Sequence, residues 1–426
     1  MTPALAPPHS LGEIVEAARE RAPFYRRLYA DVPAAPSLAD LPVIDQARFW
    51  EAHARDRQEV LTGPLTGGFV LNSGGTTGSA KHSYFSDEEW NATVAMLAQS
   101  FEGAGLQDGD RVATLFASGN LYGSLLFATA TLQYARPKVV QFPLGYSPHV
   151  EDAAAVIRSF DINVFAGFPT HLLRVIEHMD AEAGPRIHLD RLIYAGELFS
   201  NDQHAFLLRR FPGITVHSAG YASVDAGPIG YADAGCAPGE HRVHDGRTIV
   251  EILDDASGLP VSAPGHSGRI VFTSLTRLLM PVIRYPSGDR AEWLEPEGAP
   301  DRKFRLLGRS EEAARVGSYS VSVSDFRSLL ANLPGDVKVE AFQLVVRREN
   351  MRDRLVVRVA AQGPSEHLKE ASRHILIAFA ARWPEIYQDA IQGILRMPEI
   401  EWAKAGELTV NARTGKLLSV VDQRAG

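Results

Sequence analysis

One cysteine, Cys236, is all that the 426 residues contain. A single thiol excludes an intramolecular disulfide framework and fits a reducing compartment. No uninterrupted apolar run approaches the roughly 20 residues a helix needs to cross a bilayer, so no membrane partner is expected. Basic excess is missing as well. Lys and Arg number 43 against 51 Asp and Glu, for a net charge of −8. That balance argues against a general nucleic-acid or anionic-membrane binder. The opening Met1–Pro8 has neither the basic start nor the apolar block of a signal peptide, and the cytoplasm is the expected location. Internal repeats and long low-complexity tracts are absent, and no Gly-x-x-x-x-Gly-Lys-Ser/Thr nucleotide loop can be read.

What is present is the composition of a soluble globular protein, 45% hydrophobic and 22% charged, in a chain long enough for two domains. Residues 10–30 read as one helix, with Leu11, Ile14, Val15 and Ala18 on one face. Its end, Pro23-Phe24-Tyr25-Arg26-Arg27-Leu28-Tyr29, is expected to pack on the main domain, the arginines snorkelling outward. From residue 88 helical and extended stretches alternate. Glu88–Gly103, Leu121–Tyr134, Val150–Phe160, Pro169–Asp180 and Asp202–Phe211 read as helices. Strands are read at Asp110–Phe116, Lys138–Phe142, Val164–Ala166, Arg191–Ala195 and Ile214–His217. This rhythm predicts an α/β fold with a mostly parallel, helix-covered sheet, whose ligands bind outside the C-terminal strand ends.

Past Gly227 the pattern turns β-rich. Thr248–Leu253, Gly268–Thr273 and Pro281–Tyr285 predict a small, largely antiparallel subdomain. From about residue 312 a smaller α+β unit is expected, with a hairpin of Ala341–Val346 and Arg354–Ala360 and a helix over Ser365–Arg382. The domain boundaries are therefore set at 1–310 and 311–426.

The most informative stretch is Ser73-Gly74-Gly75-Thr76-Thr77-Gly78-Ser79-Ala80-Lys81. Its glycines let the backbone turn tightly and present successive N–H groups. The hydroxyls and the Lys81 ammonium suit a polyphosphate, although a polar hairpin turn is the plain alternative. The run resembles the phosphate-binding signature of the AMP-forming adenylating enzymes, Ser-x-Gly-Thr-Thr-Gly-x-x-Lys. Further stretches follow in that family's order: Ala195-Gly196-Glu197, Gly220-Tyr221-Ala222-Ser223-Val224-Asp225, Arg284-Tyr285-Pro286-Ser287-Gly288-Asp289, Leu307-Gly308-Arg309-Ser310-Glu311-Glu312 and Arg413-Thr414-Gly415-Lys416. Singly, each has a plain reading as a turn, a solvated cation or a tail loop. In one order from 73 to 416 they resemble the family over nearly the whole chain, most of all its phenylacetate–CoA ligase branch.

The resemblance implies roles. Ser73, Gly74, Gly75, Thr76, Thr77, Gly78 and Lys81 would hold the ATP phosphates. Gly196, Glu197, Leu198, Tyr221, Asp289 and Arg309 would hold adenine and ribose, with Asp225 on Mg²⁺. Lys416 would be catalytic and Glu311 the hinge of a mobile C-terminal domain. An acid pocket is expected from Phe142, Tyr146, Phe168, Ala195 and Gly220, whose mix of aromatic and small residues suits a flat aryl acid and equally suits core packing. The implied reaction turns a carboxylic acid and ATP into an acyl-adenylate, then a thioester with CoA. A carrier-protein pantetheine, an amine or a reductase stands as the alternative acceptor, and a non-catalytic nucleotide binder as the third reading. A homodimer is compatible with all of them.

Departures from the pattern are specific. Asp225 stands where glutamate is usual, Val224 lacks the usual hydroxyl, and Arg315–Ser320 aligns only with a slip around Gly317. Some relatives in this branch hold a structural zinc through cysteines and histidine. Here Cys236, His241 and His244 have no second cysteine to join them, so no zinc is expected.

Overall fold

The protein is seen as a computed structural model that describes residues 7–72, 81–147, 149–181, 187–197, 199, 201–225, 227–309, 313–330, 333, 337–362, 364–404, 407–409 and 417–424. The first helical stretch is two helices, Leu11–Arg21 and Pro23–Leu28. Ser10 and Glu13 close a capping box on the first, with Glu13 N–H donating to Ser10 Oγ at 3.2 Å. Ala22 is extended (φ −99°, ψ 113°), because a residue before proline is pushed out of the α region. The single helix expected over 10–30 is thus corrected. Phe24 and Tyr25 are buried as expected, and the Tyr25 hydroxyl donates to Pro281 O at 2.7 Å.

Strands Val140–Pro143, Arg111–Leu115, Val164–Gly167, Arg191–Tyr194 and Thr215–Ser218 form one parallel sheet in that spatial order. Their side chains alternate between two cores. Ala113, Leu115, Phe165, Leu192 and Tyr194 meet helices Val150–Ser159, Pro169–Ala181 and Asn201–Arg210. Val112, Val164, Ala166 and Ile193 meet helices Asp87–Gly103 and Ser124–Tyr134. The last of these helices starts three residues later than its periodicity predicts, since Asn120 and Leu121 take left-handed turns (φ 48° and 67°).

A seven-stranded antiparallel sheet adjoins, in the order Thr248–Leu253, Ser267–Ser274, Tyr285–Trp293, Lys303–Arg309, Glu240–Val243, Gly227–Tyr231, Tyr221–Ser223. The extended run expected over Pro281–Tyr285 begins only at Tyr285, because Arg284 sits at φ +45°. Phe69–Asn72 and His82–Phe85 pair as a hairpin on either side of residues 73–80.

The C-terminal part has its own core. Arg352–Gln362 pairs antiparallel with Lys338–Glu349, and Glu399–Ala403 and Val420–Asp422 flank them in parallel. Asn350 and Met351 (φ 51° and 62°) form a two-residue turn of type I′ handedness. Helix Ser365–Arg382 buries Ala371, Ile375 and Phe379, and Trp383 stacks on Phe326 at 5.8 Å. The architecture is α/β, as the alternation predicts, with sheets of both kinds.

Candidate active site

Among the expected phosphate-loop residues, Ser73, Gly74, Gly75, Thr76, Thr77 and Gly78 lie outside the described residues, as do Leu198, Glu311 and Lys416. The Arg309 side chain lies outside them too, while its backbone pairs with Asp289 across neighbouring strands.

Lys81 closes the glycine-rich stretch and immediately precedes the return strand His82–Phe85. Its Nζ is 4.0 Å from Asp225 Oδ2 and 5.5 Å from the centre of the Trp50 ring. Asp225 Oδ2 also accepts from the Tyr285 hydroxyl at 3.1 Å, and that hydroxyl accepts from Trp50 Nε1–H at 2.8 Å. Burial pushes the Tyr285 hydroxyl pKa well above its ordinary value, so it stays a donor. Asp225 Oδ1 is buried with no hydrogen-bond partner among the described residues. A buried carboxylate oxygen of this kind fits a hard cation such as Mg²⁺, which takes oxygen ligands and keeps waters and phosphates for the rest of its shell.

Tyr285 begins the strand that also carries Asp289. The Tyr221 hydroxyl donates to Asp289 Oδ2 at 2.6 Å, and Asp289 N–H donates to Ser287 Oγ at 3.1 Å. The Tyr221 ring lies 5.9 Å from His241 and 6.1 Å from Phe304. The structure therefore brings together Lys81 with Asp225, and Tyr221 with Asp289. Tyr285, which holds Asp225, and Trp50, which holds Tyr285, carry no local signal of those roles. Tyr285 lies within a recognised motif, and Trp50 comes from a helix, Gln46–Arg55, far back in the chain.

Arg284, the first residue of that motif, does something else. Its Nε and Nη2 donate to Glu251 at 2.9 Å each, and its backbone N–H donates to Thr273 Oγ1 at 2.9 Å. Both partners of the ion pair are buried, which makes it a brace under the site.

Gly196 follows strand Arg191–Tyr194 at φ +79°, and a Cβ there would lie 2.7 Å from the Phe168 ring. Glu197 does not present a bare carboxylate to a ligand. Thr170 N–H and its hydroxyl donate to Glu197 Oε2 at 3.0 and 2.6 Å. Removal from water raises the Glu197 carboxyl pKa, and the two Thr170 bonds oppose that shift. These two bonds tie the strand end to helix Pro169–Ala181.

The five expected acid-pocket residues divide. Tyr146, Phe168 and Ala195 share one core, with Phe168 edge-on to Phe116 at 5.3 Å. Phe142 packs with the opposite core and lies 5.1 Å from the exposed Phe160 ring, because strand alternation turns it to the other face. Gly220 (φ +104°) is held close to Ser100 and Gly230, where a Cβ would meet Ser100 Oγ at 2.8 Å. The Tyr146 hydroxyl donates to Asp389 Oδ1 at 3.0 Å, a contact with the C-terminal part that the sequence did not signal.

Cys236, His241 and His244 do not converge, and among the described residues no three His, Cys, Asp or Glu side chains are grouped to hold a metal. His241 Nε2 meets Ser218 Oγ at 3.0 Å and His244 Nδ1 meets Gln99 Oε1 at 2.8 Å. Burial lowers the pKa of both histidines to about 4 and pushes the Cys236 thiol up to about 11.

A parallel sheet with helices on both faces, joined to a larger antiparallel sheet and followed by a small α+β part, is the layout of the adenylate-forming ligases. The chain shares this fold, and in sequence it is similar to phenylacetate–CoA ligases. No family model matches it. It is 24% identical to the phenylacetate-coenzyme A ligase of Pseudomonas putida, over 87% of this chain and 84% of that protein. To the enzyme of the same name from Thermus thermophilus it is 24% identical, over 97% and 95%. Among solved structures, 2-hydroxyisobutyryl-CoA ligase with 2-HIB-AMP and CoA in the thioesterification state overlaps with a TM-score of 0.72 at 22% identity, covering 97% of this chain and 88% of that one. The same ligase in the postadenylation state gives 0.62. The amide bond synthetase McbA from Marinactinospora thermotolerans gives 0.56 at 19% identity, over 82% and 67%.

Proposed function

We propose that the chain joins a carboxylic acid, aromatic in kind, to the AMP moiety of ATP with release of pyrophosphate, and then passes the acyl group to the thiol of CoA. The observation that carries the reading is the likeness to phenylacetate–CoA ligases over 87–97% of the chain, in a sequence that keeps the six motifs in order.

The chemical difficulty is that a carboxylate and the α-phosphate are both anionic. On this reading Lys416 places an ammonium between them as charge develops. The Ser73–Lys81 stretch holds the departing pyrophosphate. Asp289 accepts from the ribose hydroxyls, its carboxylate plane fixed by the Tyr221 hydroxyl on Oδ2. Asp225 is the residue that would hold Mg²⁺, whose charge, when bound, balances the phosphates. Residues 1–310 bind ATP and acid, and residues 311–426 turn about Glu311 between the two half-reactions. The greater overlap with the thioesterification state supports reading the present arrangement as the thiol-transfer pose.

Acid-dependent exchange of labelled pyrophosphate into ATP, screened over aryl and aliphatic acids, is the test. Exchange with aryl acids followed by acyl-CoA formation supports the reading. Tight ATP binding with no exchange for any acid would favour a non-catalytic binder. A second reading, transfer to an amine, is favoured by the McbA likeness and by the altered segment around Gly317. Rapid acyl-CoA formation with free CoA would end it.

A further inference from the structure

Asp389 is among the buried carboxylates to which the half-reactions give no task. Asp389 lies on helix Pro384–Ile391, 9% exposed, and belongs to the C-terminal part. Its Oδ2 accepts from the Tyr319 hydroxyl at 2.9 Å, from the same part of the chain. Its Oδ1 accepts from the Tyr146 hydroxyl at 3.0 Å, across to the parallel sheet.

Tyr146 is anchored at the end of that sheet, where its backbone N–H donates to Phe116 O at 3.0 Å. Its ring shares a core with Phe168 and Ala195 and faces His171 at 4.6 Å. Asp389 therefore reaches the wall of the candidate acid pocket. Nearby contacts run the same way. Arg315 donates to Gly196 O, Arg352 Nη2 donates to Glu177 Oε2 at 3.1 Å, and Met351 packs on the core of the parallel sheet. Among them the Asp389 bridge alone joins a buried carboxylate to a pocket residue. A buried carboxylate is tolerated only where its oxygens are satisfied. Removal from water raises its pKa, and the two tyrosine hydroxyls oppose that shift. When the two parts of the chain separate, Oδ1 and the Tyr146 hydroxyl lose each other.

We propose that Asp389 is a positioning residue for acyl transfer, seating the C-terminal part against the acid-pocket wall by accepting from Tyr146 and Tyr319 at once. The proposal rests on the two-step adenylation and thiol-transfer reading. Adenylation uses another pose and does not need the bridge.

The test separates the half-reactions. Asp389→Asn keeps acid-dependent pyrophosphate exchange within about twofold and slows single-turnover transfer from a preformed acyl-adenylate to CoA by about tenfold or more. Tyr146→Phe also slows transfer, and combining it with Asp389→Asn adds little, because both weaken one contact: the uncharged amide can accept from only one of the two tyrosine hydroxyls. Tyr319→Phe leaves the bridge between the parts intact and has a smaller effect. Equal losses in both half-reactions, or additive losses in the double variant, overturn the proposal. A second readout needs no turnover. In the ligand-free protein, hydrogen exchange of residues 144–147 and 168–172 rises in Asp389→Asn and not in Tyr319→Phe, and unchanged exchange there overturns the seating. If the wild type shows no exchange of pyrophosphate with any acid, the adenylation reading falls, and the hydrogen-exchange comparison still decides whether Asp389 seats the C-terminal part.

Discussion

Arg284 holds a backbone conformation (φ +45°) that costs a side-chain-bearing residue about 1–2 kcal/mol. Its two-pronged bond to Glu251, with the Thr273 bond to its backbone, keeps it there. Glu251→Ala leaves a buried guanidinium without its counter-charge and should destabilise the fold by about 3–5 kcal/mol, read as a shift of the urea midpoint. A loss below about 1 kcal/mol would show that solvent reaches the pair. On the proposed reading, Lys416→Ala should slow pyrophosphate exchange by roughly 10²–10³-fold while leaving ATP binding in place. Exchange at wild-type rate would remove Lys416 from the chemistry. Motif residues were legible in the sequence because their spacing is local. Glu251 as the partner of Arg284, and Thr170 as the partner of Glu197, were not, since 33 and 27 residues separate them and only the folded register brings them together.

Among elements, the β-α alternation from Asp87 to Ser218 was readable from periodicity, and the helix Ser365–Arg382 was delimited by its own apolar stripe. Errors fell where backbone sterics override periodicity: the break at Ala22 before Pro23, the left-handed turn at Asn120–Leu121 and the late start of the strand at Tyr285. Phe142 faces the core opposite to that of Tyr146 and Phe168, because facing depends on which of two cores a strand position meets. The turn after strand Arg191–Tyr194 is the element with least tolerance. Gly196→Ala forces both a positive φ and a Cβ into the Phe168 ring, and should destabilise by about 1–3 kcal/mol while weakening acid binding. Thermal unfolding and the KM for the acid would read the two effects, and an unchanged KM would separate this turn from the pocket.

For the whole molecule, the buried histidines set a pH limit. Burial lowers the pKa of His171, His241 and His244 from 6.5 to about 4 in the folded chain. The unfolded chain takes up these protons first, so their contribution is complete above pH 6.5 and is lost as pH falls towards 4. Each contributes about 3 kcal/mol at most. Denaturation midpoints measured from pH 7.5 to 4.5 should therefore fall steeply below 6.5, and His244→Asn should flatten the slope. A midpoint independent of pH across that interval would show that these rings take up protons in the fold as readily as in the unfolded chain. The seating of the C-terminal part was illegible in the sequence, because it depends on a few long-range contacts such as Tyr146 with Asp389, 243 residues apart.

An enzyme that makes mixed anhydrides endangers its own nucleophiles, since any thiolate within reach competes with the intended acceptor. Here the chain's one sulfhydryl is half-buried and, with its pKa pushed up to about 11, is almost wholly protonated at neutral pH. On the proposed reading, self-acylation at sulfur is thereby suppressed. A cysteine introduced elsewhere would be the one reactive thiol, a clean position for a reporter label.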